Sequence, residues 1–263
     1  MIVHANGIDI NYEFSGEPGA PVVVLSHSLG SSHMMWSPQM ALLRSAYSVL
    51  RYDTRGHGAS SAPDGPYTLE QLTEDALALV DALGMEQFHW VGLSMGGMIG
   101  QCLALSHQDR LLTLSLCDTA AAIGEESRPV WEERIAAVWK DGPQALVQGT
   151  LERWFTPAYL QTGSPHVAEI RDQFLATPVA GFVGCSEAIR RLDYLDRLGE
   201  IAVPTLIMVG EDDPGTPVAA SRMMHERIPG SRMVVIPSAA HLSNIEQADI
   251  FNDHLLSFLK KHS

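Results

Sequence analysis

The sequence predicts a doubly wound α/β sheet, mostly parallel, opened by an antiparallel hairpin and interrupted by a helical insertion. Three observations carry this. Six short apolar, β-branched runs are near-continuous rather than alternating, as parallel strands buried on both faces require. Helix-length segments lie between several of these runs, the pattern of right-handed strand–helix–strand crossovers. One long stretch, 120–200, has no clear strand at all.

The elements follow in chain order. Ile2–Ala5 and Ile8–Tyr12 flank Asn6-Gly7, a dipeptide suited to a tight turn with positive φ, so the chain opens with a hairpin. The predicted parallel strands are Val22–Ser26, Ser48–Tyr52, His89–Leu93, Leu112–Cys117, Thr205–Gly210 and Met233–Ile236. Thr68 and Gln71 form a capping pattern ahead of Leu72, Ala76, Leu79, Val80 and Leu83 at helical spacing, and Gly84 ends that helix. Met95–His107 and Ala248–Lys260 read as helices in the same way. Between Ala120 and Glu200 helix-like pieces are broken by Pro129, Pro143, Pro157, Pro165 and Pro178. The expected organisation is therefore a core of residues 1–119 and 201–263 with a helical insertion, 120–200, over the carboxyl ends of the strands, where ligand sites of such sheets lie.

Composition bounds the function. At 263 residues, 46% hydrophobic and 18% charged, the chain can bury one substantial core. Its net charge of −14 repels phosphate backbones and anionic lipid, which argues against a nucleic-acid or membrane partner. Met1–Phe14 shows no basic segment followed by an apolar one, and no apolar run reaches membrane-spanning length, so a cytoplasmic protein is expected. Cys102, Cys117 and Cys185 are odd in number and far apart, which favours buried free thiols over disulfides or a zinc site.

The strongest chemical signal is Gly92-Leu93-Ser94-Met95-Gly96, a G-x-S-x-G directly behind a strand and ahead of a helix. Such a motif arises by chance in a chain with 22 glycines, but this context is that of a nucleophile elbow. A serine hydroxyl needs a base. Of the 11 histidines, His241 follows a strand across a short loop and precedes a helix, whereas His107, His225 and His254 lie in helix patterns, His4 and His262 near the termini, and His89 within a strand. The base needs a carboxylate to hold its tautomer. Glu211, Asp212 and Asp213 all stand at one strand end; Asp213 is preferred, Asp212 is its rival, and Asp118 on the neighbouring strand is an alternative. The order serine, acid, histidine is that of neither protease class. Oxyanion donors are expected at the backbone N–H of Met95 and of Leu29 in the loop His27-Ser28-Leu29-Gly30.

These segments, together with Tyr52-Asp53-Thr54-Arg55-Gly56-His57-Gly58-Ala59-Ser60, resemble the α/β-hydrolase superfamily over nearly the whole chain. More narrowly, Leu50–Gly58, Gly65-Pro66-Tyr67-Thr68, Arg153-Trp154-Phe155-Thr156-Pro157 and His241-Leu242-Ser243-Asn244-Ile245-Glu246 resemble the 3-oxoadipate enol-lactonases of the β-ketoadipate pathway of aromatic catabolism. The resemblance implies the α/β-hydrolase fold, a lid at 120–200, a Ser94–Asp213–His241 triad, and a small anionic lactone as substrate, with no cofactor or metal. It selects Asp213 over Asp212, because the family's acid lies three positions beyond the strand-ending glycine. It also implies a supporting role for Asp53, Arg55 and His57 around the elbow. Ser28 departs from the glycine that many hydrolases carry at that position.

An anionic substrate calls for a local cation, and the insertion offers Arg134, Arg153, Arg190 and Arg191. Trp131, Trp139 and Trp154 also lie there, packing the insertion's own core or lining a pocket. The pocket candidates are Trp139, Trp154 and Arg134. A carboxylesterase or C–C bond hydrolase would use the same triad, and a non-enzymatic ligand receptor could be built on the same fold.

Overall fold

The computed structural model describes all residues, Met1–Ser263. Eight strands form one sheet: β1 (Ile2–Ala5), β2 (Ile8–Gly16), β3 (Val22–Ser26), β4 (Ser48–Tyr52), β5 (Phe88–Leu93), β6 (Leu111–Cys117), β7 (Thr205–Gly210) and β8 (Arg232–Ile236). Their spatial order is β1-β2-β4-β3-β5-β6-β7-β8, with β1–β2 and β2–β4 antiparallel and the remaining pairs parallel. This is the mostly parallel sheet with an antiparallel start that the apolar runs and the hairpin predict, and it is the α/β-hydrolase arrangement that the resemblance implies. Every residue of β4, β5 and β7 is buried, which is why their sequences are apolar without alternation. Among the parallel strands the edge strand β8 is the exception, with Arg232 and Val235 exposed.

The first hairpin turns at Asn6 and Gly7, both at positive φ, as the Asn-Gly pair requires. The second strand is longer than its apolar pattern. It continues to Gly16 because Tyr12–Gly16 pair with Tyr52–Ser48 of β4, a contact made across the sheet rather than along the chain.

The helices outside the insertion are α1 (Ser37–Leu43), α2 (Leu69–Ala82) and α3 (Met95–His107), followed after it by α9 (Val218–Arg227), α10 (Ser243–Glu246) and α11 (Ala248–Lys261). The Thr68 hydroxyl accepts from Gln71 N–H at 3.1 Å, so the cap forms as read. Between β6 and β7 run α4 (Arg128–Asp141), α5 (Val147–Trp154), α6 (Pro157–Gln161), α7 (Pro165–Ala176) and α8 (Val179–Ile189). Prolines at the first turns of α4, α6 and α7 start helices rather than break them, since those N–H groups have no partner anyway. The two ends of this segment are joined by an Ala122–Asp193 bridge, with Ile123 N–H donating to Leu192 O at 3.0 Å and Tyr194 N–H to Ala121 O at 2.7 Å.

The insertion has no core of its own. Val138, Leu151, Trp154, Phe155, Ile170, Phe174 and Phe182 belong to the same continuous apolar cluster as the strands. All three cysteines are free and buried. No helix is long and apolar enough to cross a membrane.

One buried ion pair fastens the loop after β4 to α2. Arg55 donates to both oxygens of Asp75 at 2.6 Å, and Asn6 Nδ2 donates to Asp75 Oδ1 at 2.7 Å. Removing one partner leaves an uncompensated buried charge, so Asp75→Ala should lose about 3–5 kcal/mol of stability. Urea denaturation checks this; a loss within the range of an exposed pair, below about 1 kcal/mol, would show the pair to be dispensable.

Candidate active site

The candidate residues stand at the carboxyl ends of neighbouring strands. Ser94 joins β5 to α3 at φ 54°, ψ −113°, a conformation L-residues rarely hold. Two glycines permit it. A Cβ at Gly92 would sit 2.1 Å from Gly96 O, and one at Gly96 would sit 2.2 Å from Ser26 O. The turn thus packs backbone on backbone against the end of β3. Ser94 O is held by Gly97 N–H at 2.9 Å, Met98 N–H at 3.1 Å and the Thr119 hydroxyl at 2.7 Å.

Asp213 lies past the end of β7 and is 4% exposed. Its Oδ1 accepts from Gly215 N–H at 2.8 Å and Thr216 N–H at 3.1 Å; its Oδ2 accepts from the Thr216 hydroxyl at 2.6 Å and His241 Nδ1–H at 2.8 Å. With Nδ1 donating, the lone pair of Nε2 is free to take a proton. Burial alone would raise the Asp213 carboxyl, but His241 and Thr216 together hold it below its usual range. Burial likewise pulls the His241 imidazolium down, and the charge and hydrogen bond of Asp213 outweigh that, leaving it above the ordinary histidine value. Ser94 Oγ and His241 Nε2 make no hydrogen bond; such contacts commonly tighten only around a substrate.

Asp118 does not reach the imidazole. Held at φ 44° and fully buried, it accepts from Gly210 N–H at 2.8 Å and shares a hydrogen bond with Ser243 Oγ at 2.6 Å. Burial and the nearby charge of Asp213 push its carboxyl well above the usual range. The two carboxyls are driven in opposite directions, Asp213 down and Asp118 up, and only Asp213 touches His241. Asp212 is exposed.

The Leu29 N–H makes no bond within the protein, and Met95, as the first residue of α3, has no intrahelical acceptor. Both amides are available as donors. The loop bearing Leu29 is braced by histidines. Gly30 N–H donates to His57 Nε2 and Thr54 N–H to His27 Nε2, each at 2.9 Å, while His27 Nδ1–H donates to Ser28 O at 2.8 Å. Both rings must be neutral to accept, and burial makes them so, pushing His57 down to about 3 with help from His27. Asp53 accepts from His33 N–H at 2.8 Å, Asn11 Nδ2 at 2.8 Å and Ala59 N–H at 2.9 Å. The segment around residues 53–57 therefore supports the loop of residues 27–33 rather than the elbow.

The insertion roofs this arrangement. The Trp154 indole lies over the His241 ring, centroids 6.4 Å apart and planes 25° apart, and Gln173 Oε1 accepts from Ser32 N–H at 3.0 Å. Arg134 stacks on Trp131 at 4.5 Å, makes no ion pair or hydrogen bond, has a buried Nε, and its charge presses on His241. Arg190 and Arg191 are spoken for by Glu187, at 2.5 and 3.4 Å. Arg153 donates to the Thr150 hydroxyl at 3.1 Å. Trp139 is placed otherwise than expected: its side chain is 61% exposed, because it falls on the solvent side of α4. No three His, Cys, Asp or Glu side chains converge as a metal site would need.

Sequence reasoning missed Thr216, Ser243 and Glu246 as parts of the site. Thr216 had a local signal, the turn Asp213-Pro214-Gly215-Thr216, in which an aspartate habitually bonds the backbone two and three residues on. The others are recognisable only once distant segments meet.

Comparison with known proteins agrees with this fold. A family model described as alpha/beta hydrolase fold matches residues 21–248. The chain is 38% identical to 3-oxoadipate enol-lactonase 2 of Acinetobacter baylyi, over 98% of this chain and 95% of that protein. It is 30% identical to RutD of Azorhizobium caulinodans, provisionally assigned as a carbamate hydrolase, over 97% and 96% of the two chains. The crystal structure of the enol-lactonase from Burkholderia xenovorans LB400 superposes with a TM-score of 0.96 at 42% identity, covering 99% of this chain and all of that one.

Two outcomes follow from the geometry. The base must be neutral to accept the serine proton, so activity is lost as pH falls through the His241 pKa. Because that pKa is raised, the acid limb of kcat/KM should lie above the ordinary histidine value of about 6.5. Asp213→Asn should cost on the order of 10³–10⁴ in kcat by spoiling the tautomer. A pH–rate profile of both proteins checks this, and an acid limb below that of free histidine would contradict the assigned pairing.

Proposed function

The chain belongs to the alpha/beta hydrolase family, and from that premise we propose that it is a serine hydrolase opening the ring of 3-oxoadipate enol-lactone to 3-oxoadipate in aromatic catabolism. The observation that carries the reading is Arg134, an insertion arginine without an acid partner whose charge reaches the base. A neutral ester gives no reason to leave such a charge unpaired, whereas the carboxymethyl group of this lactone supplies its counter-ion. The likeness to enol-lactonases over nearly the whole chain supports the same substrate class.

In this reading the Ser94 Oγ attacks the lactone carbonyl while His241 Nε2 takes its proton, and Asp213 stabilises the imidazolium. The tetrahedral oxyanion is received by the Leu29 and Met95 amides. Collapse breaks the ring C–O bond and expels an enolate, which takes the proton from the His241 imidazolium as the enol, tautomerises to the ketone, and leaves the imidazole neutral again. Water, deprotonated by His241, then attacks the acyl-serine, and the proton returns to Ser94 as the second carboxylate leaves. An enolate departs far more readily than an amine, so the imidazolium has less leaving-group work than in a protease. The insertion serves as the lid, with Trp154 as an apolar wall and Arg134 as the carboxylate anchor.

Ultraviolet loss of freshly generated enol-lactone tests the proposal. The wild type should consume it, and Ser94→Ala should fall by about 10³-fold or more. Arg134→Ala should raise KM for the lactone by about tenfold or more, the value of a lost charge-assisted bond, while leaving KM for p-nitrophenyl acetate, which carries no carboxylate, within about twofold. Cleavage of the aryl ester with no loss of lactone would leave an esterase instead.

A further inference from the structure

His241 sits in the loop between β8 and α10, a kind of segment that ordinarily has few restraints. Here the peptide groups on both sides of it are tied to the insertion. Leu242 N–H donates to Trp154 O at 3.0 Å. Ala240 N–H donates to Glu246 Oε2 at 3.0 Å, and Glu246 in turn accepts from Thr156 N–H at 3.2 Å and from the Thr156 hydroxyl. Glu246 is 9% exposed and faces no lysine, arginine or histidine within ion-pair distance. A nearly buried carboxylate without a cation is costly unless its lone pairs are used, and here converging N–H and O–H donors use them.

We propose that Glu246 is a positioning residue for the catalytic base, joining the loop before His241 to the insertion at Thr156. The side chain does not touch the reacting atoms. It holds the Ala239–Ala240 peptide, one residue before the histidine, while Trp154 O holds the His241–Leu242 peptide just after it, so His241 lies between two anchors on one stretch of the insertion, residues 154–156. A carboxylate suits the place because it only accepts. Glutamine would turn its NH₂ toward the Thr156 hydroxyl, losing that donated bond and the charge that strengthens the bonds from Ala240 and Thr156 N–H. The inference rests on the triad chemistry and is independent of the lactone.

The readout is the rate at which a fluorophosphonate labels Ser94, with kcat and KM for p-nitrophenyl acetate alongside. Glu246→Gln should slow labelling and lower kcat by about tenfold or more, with KM within about twofold, since displacing a catalytic group harms the chemical step rather than binding. Thr156→Val should move both in the same direction by less. The double variant should be no worse than Glu246→Gln alone, because both changes break one connection. Labelling within about twofold of wild type in folded single variants, a loss confined to KM, or additive losses would overturn the proposal. If Glu246→Gln fails to fold, Thr156→Val decides on the same criteria. A wild type that is not labelled at all would overturn the hydrolase chemistry itself, and the inference with it.

Discussion

The site depends first on the close approach of three backbones around Ser94. The end of β3 at Ser26, the end of β5 at Gly92 and the first turn of α3 at Gly96 meet at distances that leave no room for a Cβ. That contact over-determines the serine and keeps it at φ 54°. A residue held there costs on the order of 1–3 kcal/mol, and it persists only where the flanking elements are too well packed to relax. Both are: every residue of β5 is buried, and so is α3 from Met95 to Ala104. The strained turn sets Ser94 directly before the first free amide of the helix, so in the proposed chemistry nucleophile and oxyanion donor share one rigid corner.

The other parts of the site lie on loops, and each is stiffened by buried polar groups whose protonation states are imposed by burial. Were His57 charged, both its nitrogens would donate and Gly30 N–H would lose its acceptor. Desolvation keeps the ring neutral, neutrality sets the direction of the bond, and the bond keeps the Leu29 peptide in place. Asp213 shows the reverse case. Four donors surround it, so it remains charged despite burial, and its charge raises His241. Asp118, one strand away, is fully buried with fewer compensating bonds and the Asp213 charge beside it, so its carboxyl is pushed up instead.

What the sequence reveals follows from the range of each interaction. The strands, the elbow and the order Ser94, Asp213, His241 are legible because each depends on neighbours within a few residues. The length of β2 is not, since Tyr12–Gly16 become strand only by pairing with β4. The four insertion arginines look alike in sequence. They are told apart by partners, as Glu187 takes Arg190 and Arg191 while Arg134 is left with a tryptophan face. Trp154 and Trp139 differ in the same way, one over His241 and the other in solvent, a difference set by which side of a helix meets the core. Glu246 is invisible for the most general reason: its donors at Thr156 lie 90 positions away.

The charge balance then gives the insertion a second consequence. A chain of net charge −14 repels anions at long range, yet solvent ions screen that field within about 8 Å at physiological salt. Inside the roofed site screening is weaker, and local groups decide. There Asp213 is surrounded by four hydrogen-bond donors, and Arg134 has no acid beside it. The site therefore offers an anion an unpaired cation within an acidic protein. Its occupant also matters for the base, because Arg134 lowers the His241 pKa. An anion bound to the guanidinium would weaken that effect, raising the basicity of Nε2 when substrate arrives. In the proposed reaction, binding and proton abstraction are linked through one electrostatic contact, and the insertion that supplies the charge is the same segment whose Trp154 and Thr156 bond the histidine loop.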